Sequence, residues 1–338
     1  MKYAIVLWPH ANARYQQALR PLSMAELYLL LGDQGLVGEP SFVDICDTQA
    51  LQFESELALD ALIGKVSRSA HLLLLSELRD DGSLLPICSQ LPARLGADLS
   101  GILKYKGKTN EIFTRFVLNM AIAASAFADK ADQQLKIFDP MCGRGTTLFE
   151  AINRGYDAYG SDVDKADIKE ASSFFKKYLE YHKIKHQLAE LSMTVAGQKP
   201  LPRKKFTFSA DAQAYKSGNA QELSLILGDA QTAAKAFSEK YFHSIVIDLP
   251  YGVQHAPGGG KVEALEKLMA RILPALRSRL KVGGTIALSF NASSLPKAKL
   301  ASLLEAAHFD VMQGRGYDNL AHWVEQAVTR DVVIGRRS

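Results

Sequence analysis

From about Glu111 onward the sequence predicts an α/β fold, a doubly wound and mostly parallel sheet, preceded by a small α/β module over residues 1–100. Two observations carry this. Short apolar runs bounded by turn residues alternate with stretches of helical periodicity, the pattern of strands returned to one sheet by crossover helices. Several of those runs also stop on an acidic residue, at the strand ends where open α/β sheets bind ligands.

In the first hundred residues, "YAIVLW" reads as a strand, "MAELYLLLG" as a helix stopped at Gly32, and "SFVDIC" as a strand. "ESELALDALIGKV" has helical spacing, "AHLLLLSEL" reads as a buried strand, and the turn-rich "RDDGSLLPICSQLPARLGADLSG" reads as a linker. Beyond it, "EIFTRFVLNMAIAASAFA" is an amphipathic helix. "KIFDPMCGRGTT" is a strand running into a glycine loop, and "TLFEAINRG" is the helix that loop opens. "DAYGSDVD" is the next strand and "KADIKEASSFFKKYLEYHKIKHQL" a long helix with a basic face. "LSLILGDA", "SIVIDLPYG" and "GTIALSFN" are three more strands, with "KVEALEKLMARILPALRSRL" the helix before the last of them, and "DVVIGRR" closes the chain as a strand. Residues 191–222 show little pattern and read as an excursion.

The chain has 338 residues, 47% hydrophobic and 22% charged, as in an ordinary globular protein of two domains. No apolar run is long enough to span a bilayer, and the start lacks the pattern of a signal peptide. Three scattered cysteines, Cys46, Cys88 and Cys142, fit a reducing cytoplasm and argue against a disulfide framework or a cysteine metal site, so no metal is expected. Residues 1–100 carry 7 Lys and Arg against 12 Asp and Glu, a net of −5; with +4 overall, the remainder carries +9. Its basic clusters, "KYKGK" at 104–108, Lys176 with Lys177, "RKK" at 203–205 and "RR" at 336–337, point to a polyanionic partner such as nucleic acid.

The loop "DPMCGRGTTLFEA" lacks the Gly-Lys-Ser/Thr of a phosphate loop. It also lacks the third glycine of a dinucleotide fingerprint, where Leu148 stands. A carboxylate at Asp139 beside Gly143 and Gly145 would repel a pyrophosphate and suits a cationic ligand. S-adenosylmethionine, with its sulfonium and ammonium, is such a ligand. Asp162 ends the second strand, where an acid can accept ribose hydroxyls, and Asp229 in "GDA" ends the third, within reach of an adenine amino group. Any one of these acids is also ordinary turn chemistry; three on consecutive strand ends define a pocket. Asp164 reads as a helix N-cap.

The fourth strand ends in "DLPYG". Asp248 offers a carboxylate and Leu249 a backbone carbonyl, Pro250 fixes the turn, and Tyr251 can stack on a planar group. That set suits an exocyclic amino group, a poor nucleophile that needs acceptors for its protons as the methyl arrives. His255 reads as an exposed loop residue.

"DPMCGRGTTLFEA", "GSDVD", "GDA" and "DLPYG", with "YKGKTNEIFTRFVLNMA" before the first strand, resemble the class I S-adenosylmethionine-dependent methyltransferases. Within that class the resemblance is to the RNA methyltransferases associated with THUMP domains, many of which make N2-methylguanosine in tRNA or rRNA. It covers roughly residues 101–338 and implies a Rossmann-like sheet of seven strands. It implies that Asp139, Pro140, Cys142, Gly143, Gly145, Thr146, Asp162, Asp229 and Ala230 hold the cofactor. Asp248, Leu249, Pro250 and Tyr251 would then act on the base. The implied partner is tRNA or rRNA, and some eukaryotic relatives use an activator subunit. Two departures stand out. The family's Asp-Pro-Pro-Tyr is Asp-Leu-Pro-Tyr here, and residues 1–100 are acidic and short for a full THUMP region, leaving a ferredoxin-like part or a reduced THUMP-type module. Related Asp/Asn-Pro-Pro-Tyr motifs occur in DNA enzymes that methylate adenine N6, so DNA remains an alternative substrate, and a non-catalytic SAM- or RNA-binding protein an alternative role.

Overall fold

The computed structural model describes residues 1–10, 12–32, 34–45, 48–103, 108–250, 260–325 and 328–338. It divides into two compact units, residues 1–92 with 313–331, and residues 93–312 with 332–338. The first unit therefore ends eight residues short of the expected boundary and takes back a stretch from near the C-terminus.

In the first unit, β1 (Lys2–Leu7) leads through α1 (Ala13–Ala18) and α2 (Arg20–Leu31) to β2 (Val37–Ile45) and β3 (Thr48–Glu54). Then α3 (Leu59–Val66) leads to β4 (Leu72–Leu78) and β5 (Leu84–Ser89). The sheet runs β2-β3-β1-β4-β5 with every neighbouring pair antiparallel. Its first four strands thus follow the βαββαβ plan of a ferredoxin-like module, and β5 adds an edge. Two expectations need correction. The linker beginning "RDDGS" contains β5, and the helix expected over "ESELALDALIGKV" starts only at Leu59, because "TQALQFE" just before it is β3. Tyr3, Ile5, Leu27, Leu51, Phe53, Leu62 and Leu75 form the core between sheet and helices.

In the second unit, α4 (Glu111–Ala123) precedes β6 (Lys136–Asp139), α5 (Thr146–Asn153), β7 (Asp157–Asp162) and α6 (Lys165–Tyr181). A hairpin follows, β8 (Lys185–Met193) and β9 (Leu201–Ser209), then α7 (Ala212–Lys216), β10 (Gln221–Leu227), α8 (Ala230–Lys235) and β11 (Phe242–Asp248). The chain continues through α9 (Gly260–Arg279), β12 (Leu280–Asn291), α10 (Lys297–Ala306), β13 (Asp310–Val311), β14 (His322–Glu325) and β15 (Val328–Arg336), the last two starting in the returned stretch. The sheet order is β13-β15-β12-β11-β6-β7-β10-β9-β8, with β14 paired to the start of β15. Strands β10, β7, β6, β11 and β12 are mutually parallel, the doubly wound core. The sheet has ten strands against the expected seven, because the hairpin β8–β9 extends it antiparallel from β10 and β14 pairs antiparallel with β15. That hairpin occupies much of the supposed excursion, and it starts inside the supposed long helix, which stops at Tyr181.

The strand order reverses between β6 and β11, the first and fourth of the parallel strands in chain order. Open sheets bind ligands at such a switch, beyond the carboxyl ends of the strands. Among the described residues no helix is long and apolar enough to cross a membrane.

Candidate active site

A cleft of about 570 Å³ opens at those strand ends within the second unit. Asp139, Pro140, Cys142, Gly143, Thr146, Asp162, Asp229, Ala230, Asp248, Leu249 and Pro250 all line it. Gly145 stands behind the lining as the residue before α5. Tyr251 and His255 lie outside the described residues.

The loop from β6 to α5 is held by its own backbone. The Gly145 N–H donates to the Cys142 carbonyl at 2.8 Å and the Cys142 N–H to the Ser161 carbonyl at 3.0 Å. Gly143 and Gly145 have φ of +49° and +91°, a region side-chain-bearing residues rarely adopt, so the turn needs glycine at both. The close packing that a third loop glycine would give comes instead from the facing strand. At Gly160 on β7 an added Cβ would stand 2.5 Å from Leu148 and 2.8 Å from the Cys142 sulfur. Burial pushes the Cys142 thiol well above its usual range, so it is a packing group and not a nucleophile.

The four strand-end acids differ. Asp139 is 2% exposed. Burial raises its carboxyl to about 7 against hydrogen bonds from the Met141 N–H and Thr147, and the charges of Asp248 and Asp162 push the same way. Asp162 accepts from the Gly143 N–H at 2.8 Å and the Asp164 N–H at 2.9 Å, joining the loop to the end of β7. Asp229 caps α8, taking the Gln231 and Thr232 N–H groups on one oxygen at 3.1 Å each. Partial burial raises its carboxyl, but these bonds, the Thr232 side chain and the Arg271 charge outweigh that and leave it below its usual value. Asp164 caps α6 as expected.

Asp248 is the most tightly oriented. One oxygen accepts from the Ser289 hydroxyl at 2.5 Å and the other from the Thr109 hydroxyl. Thr109 sits just before α4, whose N-cap Asn110 accepts from the Ile112 and Phe113 N–H groups. The helix is anchored by the ion pair of Arg115 with the buried Glu150 of α5 at 2.8 Å. Leu249 turns its side chain into the hydrophobic core and donates its N–H to the Ser289 carbonyl at 2.9 Å. The departure from Asp-Pro-Pro-Tyr thus places an apolar side chain in an apolar environment.

Sequence reading missed Thr109, Thr114, Met141, Thr147, Val163, Leu268, Arg271 and Ile272 as lining residues, and Ser289 behind Asp248. Thr109 and Thr114 do fall in the stretch before the first strand that carried part of the resemblance.

The donor set fits a cationic nucleoside. Three carboxylates answer a sulfonium, an ammonium and ribose hydroxyls, and Val163, 72% exposed at the rim, offers an apolar surface to a flat ring. Several described basic residues are already engaged. Lys108 bonds the Ser100 carbonyl and Glu111, Arg203 and Lys205 pair with Glu222, Lys204 with Glu190, and Arg337 caps the carbonyls of Arg277, Ser278 and Leu280. Each of these side chains has a partner within the protein.

A doubly wound sheet with a glycine turn after its first strand and acids on the next strand ends is the framework of a class I methyltransferase. The sequence model of the family described as "UPF0020: RMKL-like, methyltransferase domain" matches residues 117–321, and the chain belongs to that family. No curated protein sequence matches the chain. Among solved structures it is similar to the rRNA methyltransferase aviRa of Streptomyces viridochromogenes, at 16% identity over 72% of this chain and 91% of that one, TM-score 0.41. It is also similar to a TehB-like SAM-dependent methyltransferase of Corynebacterium glutamicum, at 15% identity over 63% and 85%, TM-score 0.35. A third likeness is the 1,6-didemethyltoxoflavin-N1-methyltransferase of Burkholderia thailandensis, solved with S-adenosylhomocysteine, at 13% over 68% and 80%, TM-score 0.39.

Proposed function

We propose that the protein methylates an exocyclic amino group of a base in RNA, guanine N2 of tRNA or rRNA first among them, with S-adenosylmethionine as donor. The observation that carries this reading is that Asp248, oriented by two hydroxyls, opens on the same cleft as Asp139, Asp162 and Asp229.

When bound, S-adenosylmethionine supplies an electrophilic methyl on a sulfonium. Asp139 and Asp162 would oppose its positive charge, Asp162 has lone pairs left that would accept ribose hydroxyls, and Asp229 and Val163, which line the same cleft, would receive the adenine amino group and ring. Asp248 accepts a hydrogen bond from the base amino group and draws its lone pair out of the ring. Thr109 and Ser289 hold both carboxylate oxygens, so no rotamer search precedes that contact. As the nitrogen–methyl bond forms, the sulfur–methyl bond would break with its electron pair left on the sulfur of S-adenosylhomocysteine, and the amino proton would pass to Asp248. The Leu249 carbonyl is the second acceptor of the amino group. To reach this cleft a paired base must leave its stack.

The test offers labelled S-adenosylmethionine with bulk tRNA, rRNA or duplex DNA and identifies the product nucleoside by mass spectrometry. N2-methylguanosine in RNA is the expected product. Label in DNA alone would overturn the RNA substrate, and cofactor binding with no transfer to any substrate would favour a non-catalytic role.

A further inference from the structure

We propose that the exposed ridge of α6 is a phosphate-tracking surface that leads RNA from the cleft to a stacking tyrosine at the helix's far end. This rests on the RNA substrate proposed above.

In steps of four along α6 stand Lys165, Lys169, Ser173, Lys177 and Tyr181, all exposed. Residues four apart are neighbours on the helix surface and each step turns about 40°, so these form one continuous ridge that winds diagonally across the exposed face of α6. At 1.5 Å per residue it is about 24 Å long. It begins beside Asp162 and Val163, both of which line the cleft.

The acids of the helix do not cancel the ridge. Asp167 and Glu170 lie off it and pair with Arg144 at 2.9 and 3.1 Å, Glu180 pairs with Lys176 at 3.6 Å, and Asp164 is spent on the N-cap. Among the described residues, Lys165, Lys169 and Lys177 have no carboxylate partner, nor does Lys183 just beyond the helix. Past it Lys185 extends the positive charge, its Nζ 5.1 Å from the ring centre of Tyr215.

The apolar exposure is equally placed. Among the described residues the two most exposed large hydrophobic side chains are Tyr181 at 83% and Val163 at 72%, one at each end of α6. A solvated helix face has no need of a bare ring, and among the described residues the ring of Tyr181 meets only that of His182, edge to face at 5.0 Å. Unpaired lysines spaced along a line with an aromatic platform at its end suit a nucleic-acid strand, whose charge repeats along its length and whose bases stack. A globular acidic protein would offer no such repeat.

The test compares the full chain with the K165Q/K169Q/K177Q variant, with Y181A, and with K2Q/K235Q/K240Q as a control of equal charge change. The probe is bulk tRNA, followed by KM and by binding across a salt series. For the ridge variant the KM for tRNA should rise about tenfold or more. The slope of log affinity against log salt should fall by about one per lysine. The kcat at saturating tRNA and the affinity for S-adenosylhomocysteine should not move. Y181A should weaken binding about fivefold or more with an unchanged slope. A ridge variant indistinguishable from wild type or from the control, while wild type binds tRNA, overturns the proposal. If wild type neither binds nor methylates any RNA, the RNA reading itself fails, and the ridge proposal with it.

Discussion

Each unit buries a carboxylate, and the two are treated in opposite ways. Glu26, in α2 of the first unit, is 1% exposed. It accepts from the Ser69 hydroxyl at 2.7 Å and the Ala70 N–H at 2.9 Å, and meets His71 Nδ1 at 2.9 Å. Its neighbours are donors, and it ties α2 to the turn before β4. Asp139 in the second unit is as deeply buried, yet two of its neighbours are carboxylates, and its own carboxyl rises to about 7. A buried acid surrounded by donors is finished as the chain folds. One that faces other acids is left for a cation to complete.

The largest expected effect concerns the acid that meets the substrate. Asp248→Ala should lower kcat about 10²- to 10⁴-fold. Binding of S-adenosylhomocysteine, read by calorimetry, should be nearly unchanged; full activity would remove Asp248 from the site. The second expectation tests the structural acid. Glu26→Ala strands the Ala70 N–H and the Ser69 and His71 side chains, and should cost about 3–5 kcal/mol in chemical unfolding. A loss under about 1 kcal/mol would mean that those donors find water cheaply.

The third expectation has a pH signature. Because folding raises the Asp139 carboxyl, the folded state holds its proton more tightly than the unfolded chain. Its contribution to stability is full below about pH 4 and is lost as the pH rises through about 7. Asp139→Asn should therefore stabilise the ligand-free protein at pH 8 by up to about 4 kcal/mol and flatten this part of the pH profile. The same change should weaken S-adenosylmethionine at least about thirtyfold. Thermal melts from pH 4 to 8, with and without the cofactor, check both signs. The smallest expectation sharpens the account of Asp248: Thr109→Val removes one of its two orienting hydroxyls and should cost about 1 kcal/mol, a five- to tenfold loss in kcat, with the KM for the cofactor unchanged.

The strand-end acids were legible because each is a charged residue closing an apolar run, and Gly143 and Gly145 because a turn in that conformation admits little else. Thr109 and Ser289 were not legible as partners of Asp248. A threonine before a helix and a serine in a strand are unremarkable locally, and Thr109 meets its carboxylate 139 residues away in sequence. The hairpin β8–β9 escaped because it is half-exposed along most of its length and lacks the clean alternation of a one-sided strand. The ferredoxin-like plan was blurred by β3, whose polar Thr48, Gln49 and Gln52 masked Ala50, Leu51 and Phe53, all fully buried or nearly so.

The stretch 313–331 has a consequence for synthesis. Arg14 stacks on Trp323 at 4.1 Å, Tyr15 lies against His322, Arg315 pairs with Glu39 at 2.6 Å, and Gly316 packs closely against Leu29. This module, translated before the second unit, therefore takes its last partners from residues translated more than two hundred positions later. Until then it holds an incomplete surface, and the second unit is translated during that wait. The first unit is thus continuous in its contacts yet interrupted in sequence, which makes its completion a late event in the life of the chain.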